Sequence, residues 1–332
     1  MEALRGPKVV VIGGGTGTFT VLTALKYYAR DITAIVNMVD DGGSTGILRD
    51  ELGALPPGDV RQCLVALSES DQTMRDLFNY RFEEGTFGGH SFGNIFLTAL
   101  QKTTGSFAKA VKTAGDVLNI TGRVIPVTLT DSKLILTRKD GTLLKGQHEI
   151  EESDFDRGTK PNLSLSPASK LNPEAKTAIA TADVVVIAPG NLYTSLAPAL
   201  MVDGIDQALR DTPAKLIYIS NLVTKPGQTD GFKVHDYARE IERFIGAPAL
   251  NYVIFNDRKP SAKLLEKYAR AGEFAVEFDE DILAKSHYKA IAGNLVSDTI
   301  PKLKAADKLI WRTLIRHDSD KLARLIMRIY FS

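Results

Sequence analysis

The sequence predicts an α/β fold: a doubly wound, mostly parallel sheet in three layers, with a small antiparallel β insertion. Three observations carry this. Short β-branched runs alternate along the chain with helical patterns, which is how βαβ units read in sequence. The runs are almost continuously apolar, as strands covered on both faces must be. The middle of the chain breaks the alternation and carries a hairpin signal, Asp140–Gly141.

In chain order, Val9–Ile12 is the first candidate strand, followed by a glycine-rich turn and a helical pattern over Thr18–Ala29. Ile32–Asn37 is the second strand. Within Val124–Glu152, two β-rich runs flank Asp131–Ser132 and predict the antiparallel insertion. Ser153–Pro173 is polar, rich in Pro and Ser, and without a period, so it reads as a connecting loop or a flap. Val184–Ala188, Leu216–Ser220 and Tyr252–Phe255 are three further strands, with a helix over Val234–Phe244 between the last two. Ala305–Tyr330 reads as two short helices broken at "RHDSD". The expected organisation is one domain over residues 1–332, with the β-rich insertion at about 124–172 and a helical C-terminal segment at about 305–332.

Composition narrows the function classes. The 332 residues are 44% hydrophobic and 24% charged with a formal net charge of +1. No basic field points to nucleic acid. A single cysteine, Cys63, allows no internal disulfide and suits a reducing compartment; its setting in "VRQCLVALS" predicts a core residue. The first apolar run is only a strand long, so neither a signal peptide nor a membrane span is expected. The expected location is the cytoplasm.

The turns after the strands carry the chemistry. After the first strand come Gly13, Gly14, Gly15, Thr16 and Gly17. Glycines let backbone approach a ligand, and the following helix directs N–H groups at an anion. The dinucleotide pattern needs glycine at 18 or 20, where threonines stand, and no Gly-Lys-Ser/Thr of a P-loop occurs. The turn is therefore a nucleotide anion site or a tight strand–helix turn. After the second strand, Asp40 and Asp41 are adjacent carboxylates that repel unless a cation or N–H donors compensate. They suit a divalent metal or sugar hydroxyls, or else a helix cap beside a solvated acid. Gly42–Gly46 contains a G-x-S-x-G, but two acids just before Ser44 oppose a hydrolase oxyanion there. Gly43, Ser44, Thr45 and Arg49 fit better around a diphosphate. Asp59 reads as a helix N-cap or a cleft acid, and Arg61 as its partner or a second cleft residue.

Three more turns repeat this pattern. "FGGHSFGN" brings His90, Ser91 and Asn94 to a helix start. His90 has no metal-ligand spacing around it and is either a site residue or a structural one. "APGNLYTS" supplies Gly190, Asn191, Tyr193 and Thr194, and "NLVTKPGQTDGF" supplies Asn221 and Thr229. Four such loops at successive strand ends converge on one sheet edge and predict a polar ligand cleft.

The segments "VIGGGTGTFTVLTALK", "VDDGGSTGILRDELGALPPGDVR", "GGHSFGN", "APGNLYTSLAPAL" and "NLVTKPGQTDGF", in this order, resemble the YvcK-like gluconeogenesis factor family. That family shares a superfamily with 2-phospho-L-lactate transferase (CofD). The resemblance runs from about Val9 to the C-terminus. It implies a Rossmann-like core, cytoplasmic location and binding of a nucleotide-sugar, UDP-N-acetylglucosamine. It also implies a regulatory role in central carbon metabolism, cell envelope and cell shape, with an unidentified protein partner in envelope synthesis and homo-oligomers as an option. By the same resemblance, Tyr268 and Arg316 match a tyrosine and an arginine that serve UDP-sugar binding; without it they read as a surface aromatic and a helix-end ion pair. Ser319 stands where some members are phosphorylated. Asn191 departs from the serine common at that turn, and Ser153–Asn172 matches poorly. The rival reading is a transferase with a nucleotide-linked donor, in which Asp40 and Asp41 hold a divalent metal. An NAD-binding protein is the third.

Overall fold

A computed structural model describes residues 6–156, 158–297 and 315–332. Seven strands form the main sheet: β1 Lys8–Gly13, β2 Asp31–Val36, β3 Arg123–Pro126, β7 Val184–Ile187, β8 Lys215–Ile219, β9 Tyr252–Asn256 and β10 Lys289–Gly293. Their order is β10-β9-β8-β7-β1-β2-β3, and every pairing is parallel. All four residues of β7 and the last five of β1 and β2 are buried, which explains their unbroken apolar sequence. Helix α1, Gly15–Leu25, packs on α3, Gly58–Leu67, and on the C-terminal helix Ser319–Phe331. The helices Pro173–Ala180 and Val234–Ile245 both pack on Ile205–Asp211. Cys63 is in the core.

Strand order places the functional edge. From β1 the chain builds outward through β2 to β3, then returns to β7 on the other side of β1 and builds outward to β10. The β1/β7 junction is where the winding direction reverses, the point at which open α/β sheets bind ligands outside the strands' carboxyl ends.

A second sheet, ordered β5-β4-β6, is antiparallel: β4 Lys133–Thr137, β5 Leu143–Lys145 and β6 Asn162–Ser166. It encloses a small core of Leu134, Leu136 and Ile150 with Val39 from the loop after β2. Two expectations shift. Val124–Pro126, expected in the insertion, extends the parallel sheet beside β2, and Val127 N–H continues the ladder by donating to Val36 O at 2.8 Å. The Ser153–Pro173 stretch contains β6, whose alternation rests on only two leucines, Leu163 and Leu165. Strand β10 was not expected, because "KAIAG" offers a single large apolar residue on a half-exposed edge. The second helix of Ala305–Tyr330 is Ser319–Phe331, capped by Asp318; the first lies outside the described residues. Among the described residues no helix is long and apolar enough to cross a membrane.

Ile187 is fully buried in β7, paired on both sides. Ile187→Ala should destabilise the protein by about 2–5 kcal/mol, read as a lower denaturation midpoint in urea with an unchanged slope.

Candidate functional site

Gly13 ends β1 and Gly15 opens α1, so the glycine turn is itself the first turn of the helix. Gly15 has φ +62, where a side chain would be strained. Gly17 is where α1 touches the turn after β7: a Cβ there would lie 1.8 Å from the Pro189 carbonyl oxygen. No side chain caps α1, and its first turn has no acid. Helices α2, Gly43–Leu52, and α3 likewise begin at glycine with no side-chain cap. Several other helices are capped by a side chain, from Asp71, Ser106, Asn172 and Asp318, while Ile205–Asp211 and Ala262–Ala269 also begin without one. Apart from the Gly15 N–H, which Asp59 accepts, these N-termini leave N–H donors and partial positive charge for an anion.

Two carboxylates lie under these ends. Asp59 packs against Gly14, where a Cβ would meet its Oδ2 at 2.2 Å, and it accepts from the Gly15 N–H. Burial, with the neighbouring Asp40 charge, pushes its pKa up to about 8 against opposing pulls from that N–H and from Arg61. Asp40 is also raised, chiefly by burial, although it accepts from Gly42 N–H at 3.1 Å and from Thr45. Glu151, from the insertion, adds negative potential at both. Asp41 faces the other way. It accepts from Gln147 N–H at 3.1 Å and His148 N–H at 2.8 Å, capping the short helix Gln147–Glu151 and tying the insertion to the β2 loop. Asp59 thus joins Asp40 at the glycine turns, with the Asp40 charge raising Asp59, while Asp41, whose charge also raises Asp40, makes its hydrogen bonds with the insertion. Among the described residues no group of three or more His, Cys, Asp or Glu is placed to hold a metal ion.

Ser44 lies in the first turn of α2, past the end of β2, so no strained elbow forms. Its Oγ is 3.0 Å from His90 Nδ1, and Asn94 Nδ2 donates to it at 3.3 Å. Ser91 caps the helix Phe92–Thr104 by accepting from Asn94 N–H. Across the edge, Asn191 accepts from Tyr193 N–H at 3.3 Å, and Asn221 donates to the Gly190 carbonyl at 2.7 Å, tying the turns after β7 and β8 together.

Other expected site residues are engaged inward. Arg49 is buried, donates to the Ser132 carbonyl at 2.7 Å and pairs with Asp131, joining α2 to the insertion. Tyr193 is buried and donates to Glu240. Thr194 is fully buried, and Thr229 Oγ1 accepts from Lys225 N–H and Tyr237 OH. Tyr268 is buried rather than on the surface; its hydroxyl accepts from Ile315 N–H at 2.9 Å and so anchors the segment that carries Arg316. That segment crosses the β8 side of the edge, through a bridge from Val296 to His317.

The structure adds residues the sequence reading missed. Asn37 is fully buried behind Gly14, and neither of its side-chain polar atoms has a hydrogen-bond partner. An amide inside the apolar "AIVNMV" is a signal that could have been noticed. His317 is buried against Ser220 with its pKa pushed down to about 4 by burial. Glu151 and His317 reach the edge through long-range packing that no local pattern announces.

The raised pKa of Asp59 makes stability pH-dependent. The unfolded chain ionises this carboxyl near its ordinary 3.8 and the folded chain near 8, so stability falls as pH rises between them. Asp59→Asn removes that slope. Relative to the parent, the variant should gain thermal stability near pH 8 and gain little near pH 4, measured as melting temperatures across that range.

Comparison with known proteins agrees with this architecture. Residues 9–296 match the family described as 2-phospho-L-lactate transferase CofD. A relative from Clostridium acetobutylicum is 38% identical over 333 residues, covering 98% of this chain and 70% of the relative. The gluconeogenesis factor of Bacillus subtilis strain 168 is 36% identical over 322 residues, covering 97% of each. The crystal structure of a UPF0052 family member from Bacillus halodurans superposes with a TM-score of 0.88 at 36% identity, covering 98% of this chain and 99% of that one. The chain belongs to the CofD family, with the gluconeogenesis factors as its near full-length relatives.

Proposed function

We propose that this chain binds a nucleotide-sugar, UDP-N-acetylglucosamine, at the β1/β7 edge and acts as a regulatory protein linked to central carbon metabolism, the cell envelope and cell shape. The observation that carries the reading is the convergence of three uncapped helix N-termini, α1, α2 and α3, on the point where the sheet reverses direction. The diphosphate lies against the N–H groups of Gly13–Gly17 and the start of α2. Asp59 keeps its proton near neutral pH, so the floor of the cleft donates a hydrogen bond where two ionised acids would repel a phosphate. His90, Asn191 and Asn221 supply neutral polar groups for sugar, ribose or base. The near full-length gluconeogenesis factor relatives support the link to central carbon metabolism. Occupancy alters the surface that a protein partner in envelope synthesis reads.

A second reading has its own observation. Asp40 and Asp59 are both held above the ordinary carboxylate range, chiefly by desolvation, and the Asp40 charge adds to the cost at Asp59; a divalent cation would relieve that cost. Such an ion would neutralise charge on a transferring phosphate, as a family of 2-phospho-L-lactate transferases suggests. Two protein ligands suit an ion that keeps waters and phosphate oxygens in its shell. This chain's part would be to hold that ion with Asp40 and Asp59 and to orient the nucleotide along α1.

Calorimetric titration with UDP-N-acetylglucosamine, with and without Mg²⁺ and beside NAD and GDP, separates the readings. Saturable UDP-sugar binding with the ligand recovered intact is the expected outcome. Absence of UDP-sugar binding together with Mg²⁺-dependent GDP binding would reject the regulator in favour of the transferase.

A further inference from the structure

Four side chains behind the α2 N-terminus form a hydrogen-bond chain whose direction is fixed by chemistry. Arg61 Nε donates to Asn94 Oδ1 at 3.1 Å. A guanidinium has no acceptor, so the Asn94 atom it meets must be the carbonyl oxygen, and the amide NH₂ must face the other way. That NH₂ donates to Ser44 Oγ at 3.3 Å. Ser44 owns one proton, and its oxygen is already an acceptor; the ring nitrogen His90 Nδ1 lies 3.0 Å away. The oxygen could accept a second bond, but among the described residues the buried Ser44 hydroxyl meets no acceptor other than Nδ1; the arrangement that leaves no buried donor unmet points its proton at Nδ1 and makes Nδ1 the acceptor. In a neutral imidazole the remaining proton then sits on Nε2. Arg61, Ser44 and Asn94 are all more than nine-tenths buried, so water does not compete for these bonds. Gly93 exists here for the same purpose: a Cβ would meet Arg61 Cδ at 2.7 Å. Arg61 is held further by Asn79 Oδ1.

We propose that Arg61 is a positioning residue that, through Asn94 and Ser44, holds His90 as a neutral imidazole with its proton on Nε2, ready to donate to an anionic oxygen of the ligand. The last step rests on the nucleotide reading above; the relay itself does not. The half-buried His90 presents Nε2 on the side of its ring away from Ser44. Ser44 is then not a direct ligand for phosphate, since its proton is committed to His90. Its role is to carry orientation from Arg61 to the ring.

The test reverses one link. Asn94→Asp replaces the donor facing Ser44 with a carboxylate oxygen at almost no change in volume. Ser44 must then donate to the carboxylate and accept from His90, which moves the ring proton to Nδ1. Side-chain ¹⁵N spectra of labelled protein, with the His90 signals assigned by their loss in His90→Gln, report this directly without any ligand. The expected result is an Nε2–H ring in the parent and an Nδ1–H or doubly protonated ring in Asn94→Asp. UDP-N-acetylglucosamine affinity should fall about tenfold in that variant, the worth of one hydrogen bond to a charged group. If Asn94→Asp does not fold, Ser44→Ala serves: the ring should lose its single tautomer and show a mixture. A parent ring protonated on Nδ1, or a ring unchanged by either variant, would overturn the relay. A parent that shows the expected tautomers but binds no nucleotide would leave the relay standing and reject the ligand reading, so the two failures are distinguishable.

Discussion

Dehydrated carboxylates at the carboxyl edge of the sheet are the constraint around which the rest is arranged. Asp40 and Asp59 sit where loops from β2 and α3 meet the first turn of α1. Holding an acid there without a cation is unfavourable unless backbone donors approach it closely. The glycines meet that requirement. A Cβ at Gly14 would collide with Asp59 Oδ2, and one at Gly58 would lie 2.6 Å from Asp40 Oδ2. Removing those methyl groups lets the Gly15 and Gly42 N–H groups reach the carboxylates. The same absence of side chains leaves α1, α2 and α3 uncapped. Acid pair, glycine turns and exposed N–H donors are thus one packing solution rather than three motifs.

Much of this was legible in the sequence, and the reasons are physical. Five parallel strands read clearly because both faces of each are covered, which forces continuous apolar runs such as "VVVI" at Val184–Ile187. The turns read clearly because glycine is needed for positive φ at Gly15 and for the contact of Gly17 with Pro189. Strand β10 and β6 did not, since an edge strand and a three-stranded satellite sheet bury too few side chains to leave a pattern. The acids show the limit most sharply. Asp40 and Asp41 are neighbours in sequence, and adjacency suggested a shared cation. Successive side chains in extended backbone point to opposite sides, so one turned to the cleft and the other to the insertion. Asp59, which the sequence offered equally as a helix cap, is the partner that the fold supplies.

The edge is also braced from both sides. Asp41 and Arg49 fasten the insertion to the β2 loop and α2. Gln228, in the turn after β8, donates to the carbonyls of Ile150 and Ser153 and fastens the insertion to the opposite half. Asn221 joins that turn to the one after β7. Through the insertion, these bonds connect the β2 side of the reversal point to the β8 side. A crevice opened by topology tends to vary in width with any rocking of the two halves; a small sheet bonded to both limits that movement.

Against this bracing, the unpaired atoms stand out. Asn37 offers an amide with no partner at the end of β2, Thr194 a hydroxyl with none after β7, and His317 a ring nitrogen with none over β8. Each is buried, and a buried polar group left unpaired costs about 1–3 kcal/mol. Unpaired buried side-chain atoms occur elsewhere as well, at Thr98 and Ser169 for example, but these three flank the carboxyl ends of the central strands. Asn37, Thr194 and His317 thus place unmet hydrogen-bonding capacity beside the same edge at which α1, α2 and α3 begin without a cap from their own N-cap residues. Water or a polar ligand atom is the natural partner for such groups, and a ligand that supplied it would recover energy the empty protein forgoes. For the nucleotide-sugar proposed above, relief of those unmet bonds would add to whatever charge–charge contacts the helix N-termini supply, and would favour a ligand rich in hydroxyl and amide groups over a bare phosphate.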